Sequence, residues 1–262
     1  MLSPRFVVSA VSFNFFDEMP TSYLVTGCNR GLGFELVKQL SERRDVIIFA
    51  SVRNPGNVPE LEAIAKKTGN IRIVKINSES VEDAEQVQSM IAKEVGKLDV
   101  LIANAGIAKY NGLGKDTPLQ EFKDHWNVNV LTVVILFQAM WPLLQKSSKP
   151  KFIPISSGAG SIGSIKPGVG GRNCAYGASK AALNFICVKI QAEHAKDNLI
   201  AFPMNPGWAR TEMSNFGARD AGMKEAPVDP VDSVTGMLKI MDNCDMGNCG
   251  KMWSFEGNTI PF

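Results

Sequence analysis

The chain has 262 residues, 45% apolar and 21% charged, which is ordinary for a soluble globular protein and ample for a sizeable core. Lys plus Arg number 28 and Asp plus Glu 26, a net charge of +2 with no basic tract or charge block, so nothing recommends nucleic acid or a membrane surface as a partner. Cys28, Cys174, Cys187, Cys244 and Cys249 are scattered without a C-x-x-C, and His125 and His194 do not complete a ligand set with them; no metal site is expected, and reduced thiols in the cytoplasm are.

Residues 1–19 carry Phe6, Phe13, Phe15 and Phe16 but a single basic residue, Arg5, which suits neither a secretory signal nor a transit peptide. They read as a non-essential extension ahead of one domain over 20–262. Residues 23–26 form a short apolar run that meets Gly27, a buried strand ending in a turn. Gly27-Cys28-Asn29-Arg30-Gly31-Leu32-Gly33 then enters a segment whose apolar positions 32, 36, 37 and 40 have helical spacing. Strand, glycine turn and helix is the setting in which glycines bind a dinucleotide. They permit the tight turn, let the pyrophosphate approach the main chain, and let the helix pack on the strand. The helix N-terminus favours the negative charge. The spacing here is G-x-x-x-G-x-G rather than G-x-G-x-x-G.

Residues 46–50 are a second strand, apolar on both faces as in a parallel sheet. An acid beyond it would bind an unphosphorylated ribose. Instead Ser51 and Arg53 stand there, and Arg30 lies in the glycine loop. Two guanidinium groups and a hydroxyl suit a 2′-phosphate, so NADP(H) is expected over NAD(H); solvated surface arginines are the alternative.

A helix over 61–67, a strand over 71–76 ending at Asn77-Ser78, an amphipathic helix over 81–95 and a strand over 98–103 ending at Asn104-Ala105-Gly106 follow. The apolar region 118–144 holds Asn127 and Asn129 and is interrupted by Thr132, Gln138 and Pro142, a buried helix rather than a membrane span. A strand over 152–155 ends at Ser156-Ser157, and a glycine-rich loop leads to a helix from Tyr176. A strand over 199–202 ends near Pro206-Gly207; a helix over 231–241 and a strand over 251–255 complete the chain. This alternation implies a single-domain α/β Rossmann fold, a doubly wound seven-stranded parallel sheet with helices on both faces. Ligands of such sheets sit beyond the carboxyl ends of the strands, where each motif above falls.

Tyr176 and Lys180 are four apart, hence on one helix face. A phenol with an ordinary pKa of about 10 needs help to act near neutral pH, and a nearby ammonium favours its phenolate. Alone, such a pair is common on helices; its position after the fifth strand gives it weight.

Together these residues resemble the short-chain dehydrogenase/reductase family over about 23–262. Thr26 to Gly33 matches its T-G-x-x-x-G-x-G loop, Ala103-Asn104-Ala105-Gly106 its N-N-A-G motif with the first Asn replaced, and Tyr176 with Lys180 its Y-x-x-x-K. Pro206-Gly207-Trp208-Ala209-Arg210-Thr211 resembles the P-G-x-x-x-T segment that closes over nicotinamide, and the ending from Gly250 to Phe262 that of the carbonyl reductase and norsolorinic acid ketoreductase-like branch. The resemblance implies hydride transfer from NADPH to a ketone or aldehyde. Tyr176 would be the general acid and Ser157 would bond the carbonyl oxygen. Lys180 would lower the Tyr176 pKa and hold the ribose, and Asn129 would place a relay water. It further implies cofactor contacts from Gly27, Asn29, Arg30, Gly31, Leu32, Gly33, Ser51, Arg53, Asn77, Ser78, Asn104, Ala105, Gly106, Pro206, Gly207, Trp208 and Thr211, and pairing into a homodimer or homotetramer.

Tyr176 follows Ser157 by 19 residues, more than the family's usual interval. Ser156 is the neighbour to weigh, and only one of the two should face the site because side chains alternate on a strand. The insertion over 162–174 and a substrate loop over 208–230 carry Ile162, Ile165, Trp208, Met213, Phe216 and Met223; with 105–110 they suggest an apolar or aromatic substrate and a mobile lid. A nucleotide-sensing regulator and an NAD-dependent alcohol dehydrogenase are the competing readings.

Overall fold

Side chains on a strand point alternately to opposite faces, so a strand covered on both sides feeds two cores. In β1 (Thr21–Thr26), Tyr23 and Val25 belong to one core and Leu24 to the other. The split repeats in β2 (Val46–Val52), with Ile48 and Ala50 opposite Ile47 and Phe49, in β4 (Val100–Ala103), with Ile102 opposite Leu101, and in β5 (Lys151–Pro154), with Ile153 opposite Phe152. The computed structural model describes residues 20–166 and 172–262. The extension expected over 1–19, and Pro167, Gly168, Gly170 and Gly171 of the insertion, lie outside the described residues.

With β3 (Ile71–Lys75) and β6 (Ile200–Ala201) the strands form a six-stranded sheet in the order β3-β2-β1-β4-β5-β6, every neighbouring pair parallel. The first core is closed by α1 (Gly31–Ser41), α2 (Pro59–Thr68) and α8 (Pro230–Asn243), through Leu36, Leu61 and Met237. The second is closed by α3 (Val81–Glu94), α5 (Thr132–Leu144) and α6 (Cys174–Glu193), through Ile91, Leu136 and Leu183. Chain order reverses between β1 and β4, and a crevice opens there at the carboxyl ends.

The seventh strand does not extend this sheet as expected. β8 (Met252–Ser254) pairs in parallel with β7 (Met204–Asn205) and antiparallel with β9 (Thr259–Ile260), a separate three-stranded ladder. The break between β6 and β7 falls at Phe202-Pro203, where proline has no N–H to give the ladder. The two sheets still touch, since Ile155 bridges Met204.

The 26-residue helix Leu119–Leu144 is long and apolar enough to cross a membrane, but Val133, Leu136, Phe137, Met140, Leu143 and Leu144 are buried in the second core. It consists of α4 (Leu119–Trp126), one π-helical turn over Asn127–Leu131, and α5. α7 (Glu212–Asp220) crosses the mouth of the crevice, and its excursion is closed where Ala209 bridges Val228.

Candidate active site

One cleft of about 2010 Å³ runs along the carboxyl ends of the strands. Every residue expected at the cofactor lines it, from Gly27 and Arg30 through Arg53, Asn77 and Asn104 to Trp208 and Thr211. At its nucleotide end the wall is main chain. A Cβ on Gly33 would stand 2.2 Å from the Gly27 carbonyl oxygen, so α1 meets the glycine turn more closely than any side chain permits. Asn104 holds the turn from the far side: its Nδ2 donates to the Thr26 carbonyl at 2.8 Å, while the N–H groups of Asn104 and Ala105 donate to Thr26 Oγ1 at 3.0 and 2.9 Å. The replaced Asn at 103 costs this arrangement nothing.

The N-terminus of α1 has no side-chain cap and no acid in its first turn. Its first N–H groups therefore face the cleft without intrahelical partners and with the positive end of the helix dipole. This cradle fits a pyrophosphate. Ser51 is buried and Arg53 exposed at the end of β2, with no carboxylate beside them in 51–54. Arg30 instead makes an ion pair with Glu212 across the cleft. Asn77 is held by Asp83, whose Oδ2 accepts from its N–H at 2.8 Å and its Nδ2 at 2.9 Å.

Lys180 and Tyr176 point into the middle of the cleft from α6. The Lys180 ammonium lies 5.7 Å from the Tyr176 ring centroid and donates to the Ile155 carbonyl at 2.8 Å. Burial lowers its pKa to about 8. Burial also raises the Tyr176 pKa, and a hydrogen bond from Ser157 pulls it back. In the protein without cofactor, burial and Ser157 therefore set the Tyr176 pKa, and the net direction is upward. The two serines differ in their partners. Both line the cleft, but Ser156 is buried and its Oγ donates to Asn184 Oδ1 at 2.5 Å, whereas Ser157 is half-buried and its Oγ accepts only a main-chain N–H, that of Ala159, at 3.1 Å.

Asn129 is the one residue expected in catalysis or at the cofactor that does not line the cleft. It is buried in the π turn, where its Oδ1 accepts from the Ile107 N–H at 2.8 Å and its Nδ2 donates to the Ile107 carbonyl at 3.0 Å and Ser179 Oγ at 3.0 Å. A Cβ on Gly106 would lie 3.0 Å from Asn129 Oδ1 and 3.6 Å from Lys180 Nζ, so Asn129 backs the floor on which Lys180 lies. Both Nδ2 hydrogens are taken, so a water could be held only by the second lone pair of Oδ1 or by its main chain.

His125 was not legible as a site residue from residue type or spacing. It is buried under Tyr176, ring centroids 6.2 Å apart, edge to face. Its Nδ1 lies 2.6 Å from the Glu121 carbonyl, and its Nε2 accepts from the Lys109 N–H at 3.3 Å. With a carbonyl at one nitrogen and an N–H at the other, the ring donates from Nδ1 and accepts at Nε2. A lone histidine on a helix carries no pattern that would reveal this.

The substrate end is lined by Ile162, Ile165, Trp208, Met213 and Phe216, while Tyr110 and Met223 are not part of the lining. The Tyr110 hydroxyl donates to the Asp116 carbonyl instead.

A family model described as short chain dehydrogenase matches residues 22–221. An uncharacterized oxidoreductase of Schizosaccharomyces pombe is 34% identical over 250 residues, 92% of this chain and 97% of that protein. Norsolorinic acid ketoreductase of Aspergillus parasiticus is 35% identical over 227 residues, 85% of this chain and 83% of its own. NADPH-bound carbonyl reductase from chicken fatty liver superposes with a TM-score of 0.84 at 28% identity, over 93% of this chain and 99% of that structure.

Proposed function

The chain belongs to the short-chain dehydrogenase family, and from that premise we propose that it is an NADP(H)-dependent reductase of ketones or aldehydes. The observation that carries this reading is the Tyr176 phenol, kept protonated by burial, beside the Ser157 hydroxyl and the Lys180 ammonium at the centre of the cleft. Arg53 and Ser51, without an acid nearby, support the phosphorylated cofactor, as does the likeness to an NADPH-bound carbonyl reductase.

NADPH, when bound, supplies the hydride that reduces the carbonyl carbon. Negative charge then grows on the carbonyl oxygen. Ser157 donates a hydrogen bond to that oxygen and Tyr176 transfers its proton to it. Lys180 stabilises the phenolate that Tyr176 becomes, and its Nζ would hold the ribose hydroxyls of the bound cofactor. Asn129 and His125 are positioning residues: one holds Ile107 behind Lys180, the other packs beneath the Tyr176 ring. The apolar lining and the likeness to a norsolorinic acid ketoreductase support an apolar or aromatic ketone. We place the enzyme in the cytoplasm, in keeping with five free cysteines.

We further propose a homodimer formed by the outer faces of α4, α5 and α6. Leu119, Trp126 and Phe185 stand exposed there, Leu119 at 78% and Phe185 at 70%, beside an apolar groove lined by Phe137, Trp141 and Ile190. A monomer across concentrations in size-exclusion chromatography with light scattering would end that proposal.

The function is tested by incubating the protein with NADPH and a panel of ketones and following the loss of NADPH absorbance. Tyr176→Phe should lower kcat by about a thousandfold while NADPH affinity holds. Near-normal turnover by this variant rejects Tyr176 as the acid. NADPH binding without turnover of any ketone makes the protein a sensor, and a preference for NADH removes the assigned role of the arginines.

A further inference from the structure

The loop between Ser157 and Tyr176 is fastened by contacts that the chemistry does not use. It leaves the site through Gly160, where a Cβ would lie 2.7 Å from the Lys180 main chain, so no side chain fits between loop and α6. Ser161, 1% exposed, donates from its Oγ to the Pro261 carbonyl at 2.5 Å and pairs with Ser164 Oγ at 2.7 Å. The Gly163 N–H donates to the Phe262 carbonyl at 2.7 Å. A Cβ on Gly163 would stand 3.0 Å from that oxygen and 3.1 Å from Pro261 Cβ. At the other end the Gly112 N–H donates to the Arg172 carbonyl, and Gly112 bridges Asn173.

Between these fastenings Ile162 and Ile165 are 68% and 70% exposed, and both line the substrate end of the cleft. Large apolar side chains at the rim of a cleft gain free energy when a ligand covers them. A turn that is already held loses less conformational freedom when it is covered. We propose that Pro261 and Phe262 are positioning residues for the substrate: they brace the turn over 161–165 so that Ile162 and Ile165 meet the apolar part of the carbonyl compound, away from its reacting oxygen. This makes Pro261 and Phe262 part of the specificity of the site, through a contact spanning 100 positions. It rests on the reductase reading above.

Two variants test it. One lacks Pro261 and Phe262. The other, Gly163→Val, keeps them but drives a side chain into them. Each is compared with the unaltered protein for NADPH affinity, for reduction of a small diketone and of a bulky aromatic ketone, and for amide hydrogen exchange over 158–166. In both variants KM for the bulky ketone should rise about tenfold, with kcat, NADPH affinity and the small diketone's kcat/KM holding within about twofold. Exchange at 161–165 should speed up about tenfold. Unchanged exchange in both variants overturns the brace. Faster exchange with an unchanged KM for the bulky ketone overturns its role in substrate binding. If the unaltered protein consumes no NADPH with either ketone, the reductase reading has failed, and the exchange measurement still reports on the brace by itself.

Discussion

Around Gly27 and Gly33 the cleft wall is main chain packed on main chain, held by Asn104 and opened by the uncapped end of α1. Around Ile162 and Phe216 it is side chain, carried on short turns and on α7 and largely open to solvent. A wall of backbone recognises what every dinucleotide shares, a pyrophosphate and the dipole it favours. A wall of exposed side chains recognises whatever its particular residues cover, and changes with each of them. The nucleotide end should therefore fail abruptly when altered, and the substrate end by degrees.

Gly33→Val is the most severe test of this contrast. Its Cβ would meet the Gly27 carbonyl at 2.2 Å, and backbone cannot step aside as a rotamer can. NADPH affinity should fall by about a hundredfold or more in a fluorescence titration; a loss under tenfold would show that the backbone wall yields. Arg53→Ala should weaken NADPH relative to NADH by about thirtyfold, the worth of a charge-assisted bond. Arg30→Ala should cost only about threefold, because Arg30 must leave Glu212 to serve the phosphate and the exchange returns little. Equal losses at the two arginines would undo that distinction.

The catalytic middle of the cleft makes its own prediction with pH. Burial lowers the Lys180 pKa to about 8 and raises that of Tyr176. Below pH 8 Lys180 is an ammonium and the phenol is protonated, which is the pair the proposed mechanism requires. As pH rises past 8 the ammonium is lost first, so kcat/KM for reduction should fall about tenfold per unit. Lys180→Arg should move this limb upward, since a guanidinium keeps its charge. A limb left in place would assign it to another group. At the substrate end Phe216→Ala should raise KM for an aromatic ketone only about fivefold in steady-state assays; a loss as steep as that of Gly33→Val would erase the difference between the two walls.

The nucleotide end was also the more legible one. Its glycines, Thr26 and Asn104 act through features that residue type alone dictates: absence of a Cβ, a hydroxyl that accepts two N–H groups, an amide that reaches a carbonyl. The alternation of strands and helices likewise specified the doubly wound sheet, though not that Pro203 would part its last edge into a second ladder. What could not be read depends on partners distant in the chain. Ser157 is distinguished from Ser156 only by Asn184, which draws Ser156 inward. Arg30 finds Glu212 across 182 positions, His125 finds Tyr176 across a helix packing, and the insertion finds Pro261 and Phe262. None of these pairs has a spacing, and each exists only because the fold has closed. The direction of the Tyr176 pKa in the protein without cofactor is unreadable for the same reason: burial is a property of the assembled site.

The π turn over Asn127–Leu131 sets the phase of the longest helix. A π turn holds one residue more than an α turn, which rotates everything after it by about 100° relative to an uninterrupted α-helix. That offset lets His125 face Tyr176 while Leu136 and Phe137, on the same helix, face the sheet. Deleting a single residue from 127–131 would restore regular winding and swing one of these faces out of alignment. Catalytic floor and hydrophobic core thus share one rotational setting, and the helix cannot be made regular without giving up one of them.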